Sequence, residues 1–153
     1  MSAERLTLDT NILVYAVDAR EGRKRELATR IIEAAIELDC PLALQAVEEF
    51  YAAATSKLKL GAKVAAARAA QLIAGFDTFG YSVHAVRAAL DEAPKGRFSY
   101  WDSVLLASAA EVGCTTIFSE DMADGARFGS IVVANPFRHD GIAPHAKAVL
   151  GLE

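Results

Sequence analysis

Asp9, Thr10 and Asn11 interrupt the apolar stretch LTLDTNILVYAV, so an acid, a hydroxyl and an amide stand between two runs of core-type residues. Further along, Ser119, Glu120 and Asp121 follow the apolar TTIF directly, Asp102 lies three residues after Ser99, and Glu48 and Glu49 break another apolar pattern. Each acid alone has a bland explanation. Asp9, Thr10 or Asn11 can cap the helix that follows, S-Y-W-D reads as a capping box, and Asp121 in the first turn of a short helix would suit the helix dipole. Glu48 and Glu49 can form a solvated face. Together the acids need more, because two like charges about 4 Å apart repel by about 4 kcal/mol at an effective dielectric near 20. Four carboxylates in one cleft would require protons or a cation, and oxygen-only ligands favour a hard ion, Mg²⁺ or Mn²⁺, over zinc.

The elements that would position these groups follow from periodicity. Residues 5–9 read as a strand, 11–17 as a short helix, and 23–38 as a longer one with Leu27, Ile31, Ala34 and Ala35 on one face. Pro41 precedes a short buried strand, LAL (42–44). A helix over 45–58 places Val47, Phe50, Tyr51, Ala54 and Leu58 on one side, and Gly61 separates it from a helix over 62–75. FGYSV (79–83) reads as a strand or an extended link. Helices over 84–92 and 100–112 precede strands at 115–118 and 130–134, with a short helix expected between those two. Strands alternating with helices imply a parallel sheet covered on both faces, and such sheets bind ligands at the carboxyl ends of their strands. That places Asp9 at the end of one strand, Ser119 to Asp121 at the end of another, and Asp102 at a helix start on the same rim.

The bulk properties agree with one domain of this class. The chain has 153 residues, 53 % of them hydrophobic, with four prolines and no Gly/Ser-rich linker. The N-terminus, MSAERLTLDT, lacks the basic start and continuous apolar stretch of a signal peptide. Arg68 and Glu111 interrupt the most apolar stretches, so no membrane span is expected. Cys40 and Cys114 have no motif spacing and read as buried thiols, which suits the cytoplasm. A net charge of −4 argues against nucleic-acid binding through bulk positive charge, yet without four site carboxylates the remainder is neutral. His84, His139 and His145 have no ligand spacing and read as surface or packing residues. The sequence contains no GxxxxGK[ST], GxGxxG or GxSxG motif, which disfavours P-loop hydrolysis and serine hydrolase chemistry.

Four ordered segments, LTLDTNIL, LQAVEEFYAAATSKL, FSYWDSVLLASAAEVGC and TTIFSEDMADG with VVANPF, resemble the motifs of PIN domains, specifically VapC-like toxins. The resemblance implies a three-layer α/β/α sandwich with a central, mainly parallel sheet. It also implies a metal-dependent endoribonuclease that hydrolyses RNA phosphodiesters by in-line attack of water at one or two Mg²⁺ or Mn²⁺ ions. Carried over residue by residue, Asp9, Glu49, Asp102 and Asp121 become the catalytic and metal-binding acids, with Thr10, Asn11 and Ser119 in support. Asp9, Asp102 and Asp121 would ligate the metal, and Glu49 would hold or deprotonate the attacking water. Glu49 is chosen over Glu48 by its place before Phe50 and Tyr51. Glu120 and Asp124 are further candidate ligands, and Arg97 and Trp101 are weaker candidates for substrate contact. The basic residues Arg20, Arg23, Lys24, Arg25 and Arg30 read mainly as a solvated helix face. The resemblance further implies a homodimer neutralised by a VapB-like antitoxin whose arginine pairs with the acids. The nuclease domain would span 1–137, followed by an extension over 138–153 without an assigned role, in which 146–152 could add a packing turn. The alternatives are a PIN nuclease of RNA processing outside a toxin pair and a non-catalytic scaffold that binds RNA or an antitoxin. A haloacid-dehalogenase-type phosphatase would want an acid at position 11, where this chain has Asn11.

Overall fold

LTL, TIF and IVVA are short and rich in branched residues, and the first two are wholly buried, as strands covered on both faces must be. The computed structural model describes residues 4–153. The reading of the first ten residues as lacking a signal peptide, and the expected start of the domain, fall partly on residues 1–3, outside the described residues. In chain order the elements are β1 (Leu6–Leu8), α1 (Thr10–Tyr15), α2 (Arg23–Glu37), β2 (Pro41–Ala43), α3 (Leu44–Ser56), α4 (Ala62–Gly75), β3 (Asp77–Phe79), α5 (Val83–Glu92), α6 (Tyr100–Glu111), β4 (Thr116–Phe118), β5 (Arg127–Phe128), β6 (Ile131–Ala134), β7 (Phe137–Arg138), β8 (Gly141–Ile142) and α7 (Pro144–Leu150).

The central sheet has the order β1-β4-β6-β5, with β1, β4 and β6 parallel and β5 antiparallel at the edge. A second parallel pair, β2-β3, lies beside β1. Pro41 has no amide hydrogen to offer a ladder. The buried Thr7 hydroxyl instead donates to the Pro41 carbonyl at 2.7 Å, joining the two sheets through a side chain.

Helices cover the sheet in two groups. α1 packs on α2 and α3, and α3 on α4, while α5 packs on α6. α6 is buried without interruption from Ser103 to Ala109, so it runs through the interior rather than over the surface. Its inner serines remain satisfied because the Ser103 and Ser108 hydroxyls donate to carbonyls one turn back, at 2.7 Å each. α7 packs against α2 and buries Ala146 and Leu150, so residues of the 138–153 segment join the core formed by the rest of the chain.

Several local expectations are corrected. No helix lies between β4 and β6. There the Ser119 hydroxyl accepts the Met122 N–H at 3.2 Å, Asp124 accepts the Asn135 N–H at 2.9 Å, and Gly125 turns the chain at φ 84° before β5 forms. Side-chain caps have replaced a helical ladder. The strand expected at 42–44 ends at Ala43, whose extended backbone starts α3 with Leu44. Of the two readings of 79–83, the link holds over most of it: β3 ends at Phe79 and residues 80–82 join it to α5. Tyr51, expected on the apolar side of α3, is 38 % exposed. Among the described residues, no helix is long and apolar enough to cross a membrane.

Candidate functional site

Register alone brings two site residues together. Leu8 pairs with Phe118 in the parallel ladder, so the next residues, Asp9 and Ser119, leave the sheet side by side at its carboxyl edge. The Asp9 N–H extends the ladder to the Phe118 carbonyl at 2.9 Å, and the Ser119 N–H reaches the Ala134 carbonyl at 3.1 Å. The Asp9 carboxylate is 6 % exposed and fully engaged. One oxygen accepts the Thr10 N–H at 2.8 Å. The other accepts the Ser119 hydroxyl at 2.7 Å and the Asn11 amide at 3.1 Å. Asn11 is oriented in turn, since its carbonyl accepts the Glu120 N–H at 3.2 Å. A carboxylate with this many donors has one rotamer available to it.

The other acids arrive on helices. Glu49 lies on α3, which begins where β2 ends. Gln45, one turn earlier, donates to the Glu49 carboxylate at 3.2 Å and to the Trp101 carbonyl at 2.9 Å. It thereby ties α3 to the first turn of α6, where Asp102 sits. Ser99 caps that turn by accepting the Asp102 N–H at 3.0 Å. Asp121 is exposed in the loop after β4.

These groups feel one another's charge. Burial pushes the Asp9 carboxyl up to about 6, the Ser119 hydroxyl and Thr10 N–H oppose it, and the Asp102 and Glu49 charges raise it further. Partial burial, then the Asp102 and Glu48 charges, raise Glu49, while the Gln45 amide opposes the rise. Burial and the Asp121 charge raise Asp102, against the Ser99 cap. Three of the four acids thus sit where their anions are disfavoured, first by burial and then by charges that, Glu48 apart, belong to the same set. The Thr10 hydroxyl is the one buried side-chain polar atom among the described residues that closes no hydrogen bond.

All-oxygen donors, mutual repulsion and an orphaned hydroxyl beside them fit a hard divalent cation in chemistry and charge. Among the described residues, no three Asp, Glu, His or Cys side chains already converge to hold a metal ion.

Other candidates separate from this group. Burial raises Glu120, but the Lys24 ammonium at 2.8 Å and the Tyr15 hydroxyl at 2.7 Å outweigh it and leave the carboxyl below its ordinary range. Glu120 therefore points into an ion pair, and Asp124 is spent on the Asn135 turn. Arg97 is engaged by Glu92 and by the Arg127 carbonyl. Trp101 is 64 % exposed, its edge against Tyr100 at 5.0 Å. The sequence reading passed over Tyr15, placed Lys24 on a mainly solvated helix face where the structure pairs it with Glu120, and gave Gln45 only a place beside Glu49. Tyr15 had a signal, since it stands four residues after Asn11 on one helix face.

The sequence profile of the PIN domain matches residues 6–123. The chain belongs to the PIN domain family. No curated protein sequence matches it significantly. As a fold, this PIN domain resembles solved VapC-type structures at low identity. VapC20 of Mycobacterium tuberculosis, a sarcin–ricin-loop-cleaving toxin, is 17 % identical with a TM-score of 0.58, over 76 % of this chain and 89 % of that one. In VapBC2 of Rickettsia felis, bound to a promoter DNA fragment, the matching chain is 12 % identical with a TM-score of 0.62, covering 85 % and 97 %. A toxin–antitoxin complex from Klebsiella pneumoniae gives 19 % identity and a TM-score of 0.60 over 89 % and 98 %. These likenesses agree in a PIN fold of helices about a central, mostly parallel sheet.

Proposed function

We propose that this PIN domain is a divalent-metal-dependent endoribonuclease, the toxin of a VapBC-like toxin–antitoxin pair. One observation carries the reading. Asp9, Glu49 and Asp102 occupy one rim of the PIN domain with their carboxyl groups pushed up by burial and by charges within the set, which a bound cation would relieve. Asp9, Asp102 and Asp121 are the proposed ligands. When bound, Mg²⁺ or Mn²⁺ would acidify a water and offset charge on the phosphate oxygens. Glu49 would accept the proton of the attacking water, held in place by Gln45. Thr10, Asn11 and Ser119 would keep Asp9 in its one rotamer.

The proposed partner is a VapB-like antitoxin, in line with the toxin–antitoxin complexes that share the fold. An apolar groove of about 270 Å³ between α1, α2, α3 and α4, lined by Leu13, Val17, Ile32, Ile36 and Leu72 among others, would seat an apolar segment of it. A homodimer in the cytoplasm completes the proposal.

The test is cleavage of labelled RNAs by partner-free protein with Mg²⁺, with Mn²⁺ and with EDTA, beside Asp9→Asn and Asp102→Asn. Cutting should require the metal and fall about a hundredfold or more in both variants. Cutting that persists in EDTA or in either variant overturns the site. No cutting, together with no Mn²⁺ binding by calorimetry, replaces the nuclease with the non-catalytic scaffold.

A further inference from the structure

Glu120 turns away from the acids into a second feature, an open groove of about 540 Å³ on the other side of the same rim. Arg23 and Lys24 at the start of α2 form one wall. Phe137, Arg138 and His139 of the β7–β8 hairpin form the other. Lys24 is fixed at the base by Glu120 and lies over the Tyr15 and Phe137 rings, 4.9 and 5.5 Å from their centroids. That pair is neutral as a unit. The charge of the groove therefore comes from Arg23, whose exposed contact with Glu26 is loose at 3.8 Å, and from Arg138. Among the described residues Arg138 has no carboxylate within ion-pair distance. Through one nitrogen, its guanidinium donates to the Asn135 and Phe137 carbonyls, at 3.2 and 3.0 Å, which anchors the group and leaves its other donors open.

The groove is joined to the acids by two hydrogen bonds. The Glu120 N–H donates to Asn11 at 3.2 Å, and Asn11 donates to Asp9 at 3.1 Å. A positive channel thus opens beside an acidic rim in a chain whose net charge is −4. We infer that this groove binds backbone phosphates of a single-stranded RNA on one side of the bond being cut, with Arg138 and Arg23 as phosphate contacts and with the Lys24 charge offset by Glu120. The inference rests on the nuclease reading and deepens it. It also gives residues 138–139, beyond the stretch matched by the PIN profile, a part in the site. A basic antitoxin tail would be repelled here, whereas a polyanion that enters the acid cleft through a cation must continue past it, and this groove receives the continuation.

The experiment is fluorescence anisotropy of a labelled single-stranded RNA across a salt series in Ca²⁺, whose loose, irregular coordination supports little in-line attack, so that binding is read without cutting. Arg138→Gln should weaken binding and flatten the slope of log affinity against log salt by about 0.7, the value for one phosphate on a single strand. Arg23→Gln combined with it should double the effect, and Arg138→Lys should restore most of it. Glu120→Gln, which removes the one carboxylate of the groove, should tighten binding. Lys63→Gln, on α4, serves as the remote control, and circular dichroism confirms that each variant is folded. If Arg138→Gln binds RNA with an unchanged slope, the groove is overturned and the nuclease reading stands. An equal loss in Lys63→Gln reduces the effect to net charge and overturns it as well. Tighter binding of a poly-aspartate peptide than of RNA reassigns the groove to an acidic protein. Wild-type protein that binds no RNA overturns this inference and the reading beneath it together.

Discussion

At Asp9 the backbone leaves β1 and enters α1, so one carboxylate caps a helix and faces the charges of Glu49 and Asp102. The helix cap open at the sequence level is present, and a strand end followed at once by a helix is also where the proposed ligand role would place an acid. The conflict appears in its proton affinity. Between the ordinary 3.8 and about 6 the unfolded chain has released this proton while the folded chain retains it. Folding stability from this group is therefore fully present below 3.8 and is lost as pH rises through about 6. The difference is on the order of 3 kcal/mol. In EDTA, Asp9→Asn should accordingly gain on the wild type by roughly that amount between about pH 4 and pH 7, measured by urea unfolding at both ends. The hydrogen bonds that an amide cannot accept shift both ends equally and leave the swing intact. A swing near zero would mean that Asp9 is solvated in the folded protein. LTLDTNIL made two of the Asp9 donors legible, since Thr10 and Asn11 follow it directly. The donation from Ser119, at 2.7 Å, was legible only as proximity, because it depends on the register of two strands 110 residues apart.

Elements position the remaining acids, and their caps are local enough to read. S-Y-W-D announced the start of α6, and the Ser99 hydroxyl does accept the Asp102 N–H. Ser99→Ala should cost about 1 kcal/mol, a fall in melting temperature of about 2–4 °C for a domain of this size. Ser99→Thr should recover most of it, and thermal unfolding of the three proteins checks the order. Helices read well here because their signals repeat every turn, as in α2 and α6. The loop after β4 read poorly for the opposite reason. SEDMADG has helix-compatible residues, but Ser119 and Asp124 bond to the backbone N–H groups of Met122 and Asn135, one of them eleven residues away. Short polar side chains compete with a helical ladder in this way wherever tertiary partners are in reach.

Across the whole molecule, the last helix contributes to the core. Leu150 is 4 % exposed and Ala146 is 1 % exposed, both on α7 against α2. Leu150→Ala should cost about 2–5 kcal/mol and lower the urea midpoint without changing the slope of the transition. A cost well under 1 kcal/mol would show that α7 is a dispensable attachment. The sequence alone determined the alternation of strands and helices, the parallel sheet which that alternation implies, and the acids Asp9 and Asp102 at a strand end and a helix start, because each signal is local or recurs from one element to the next. Tertiary structure alone decided which acids share a field, that Glu120 leaves them for Lys24 and Tyr15, that Gln45 bridges α3 to α6, and that Arg138 returns to the same rim. Those outcomes depend on strand register and helix packing, which sum weak contacts over the whole chain and leave no trace in the spacing of any few residues.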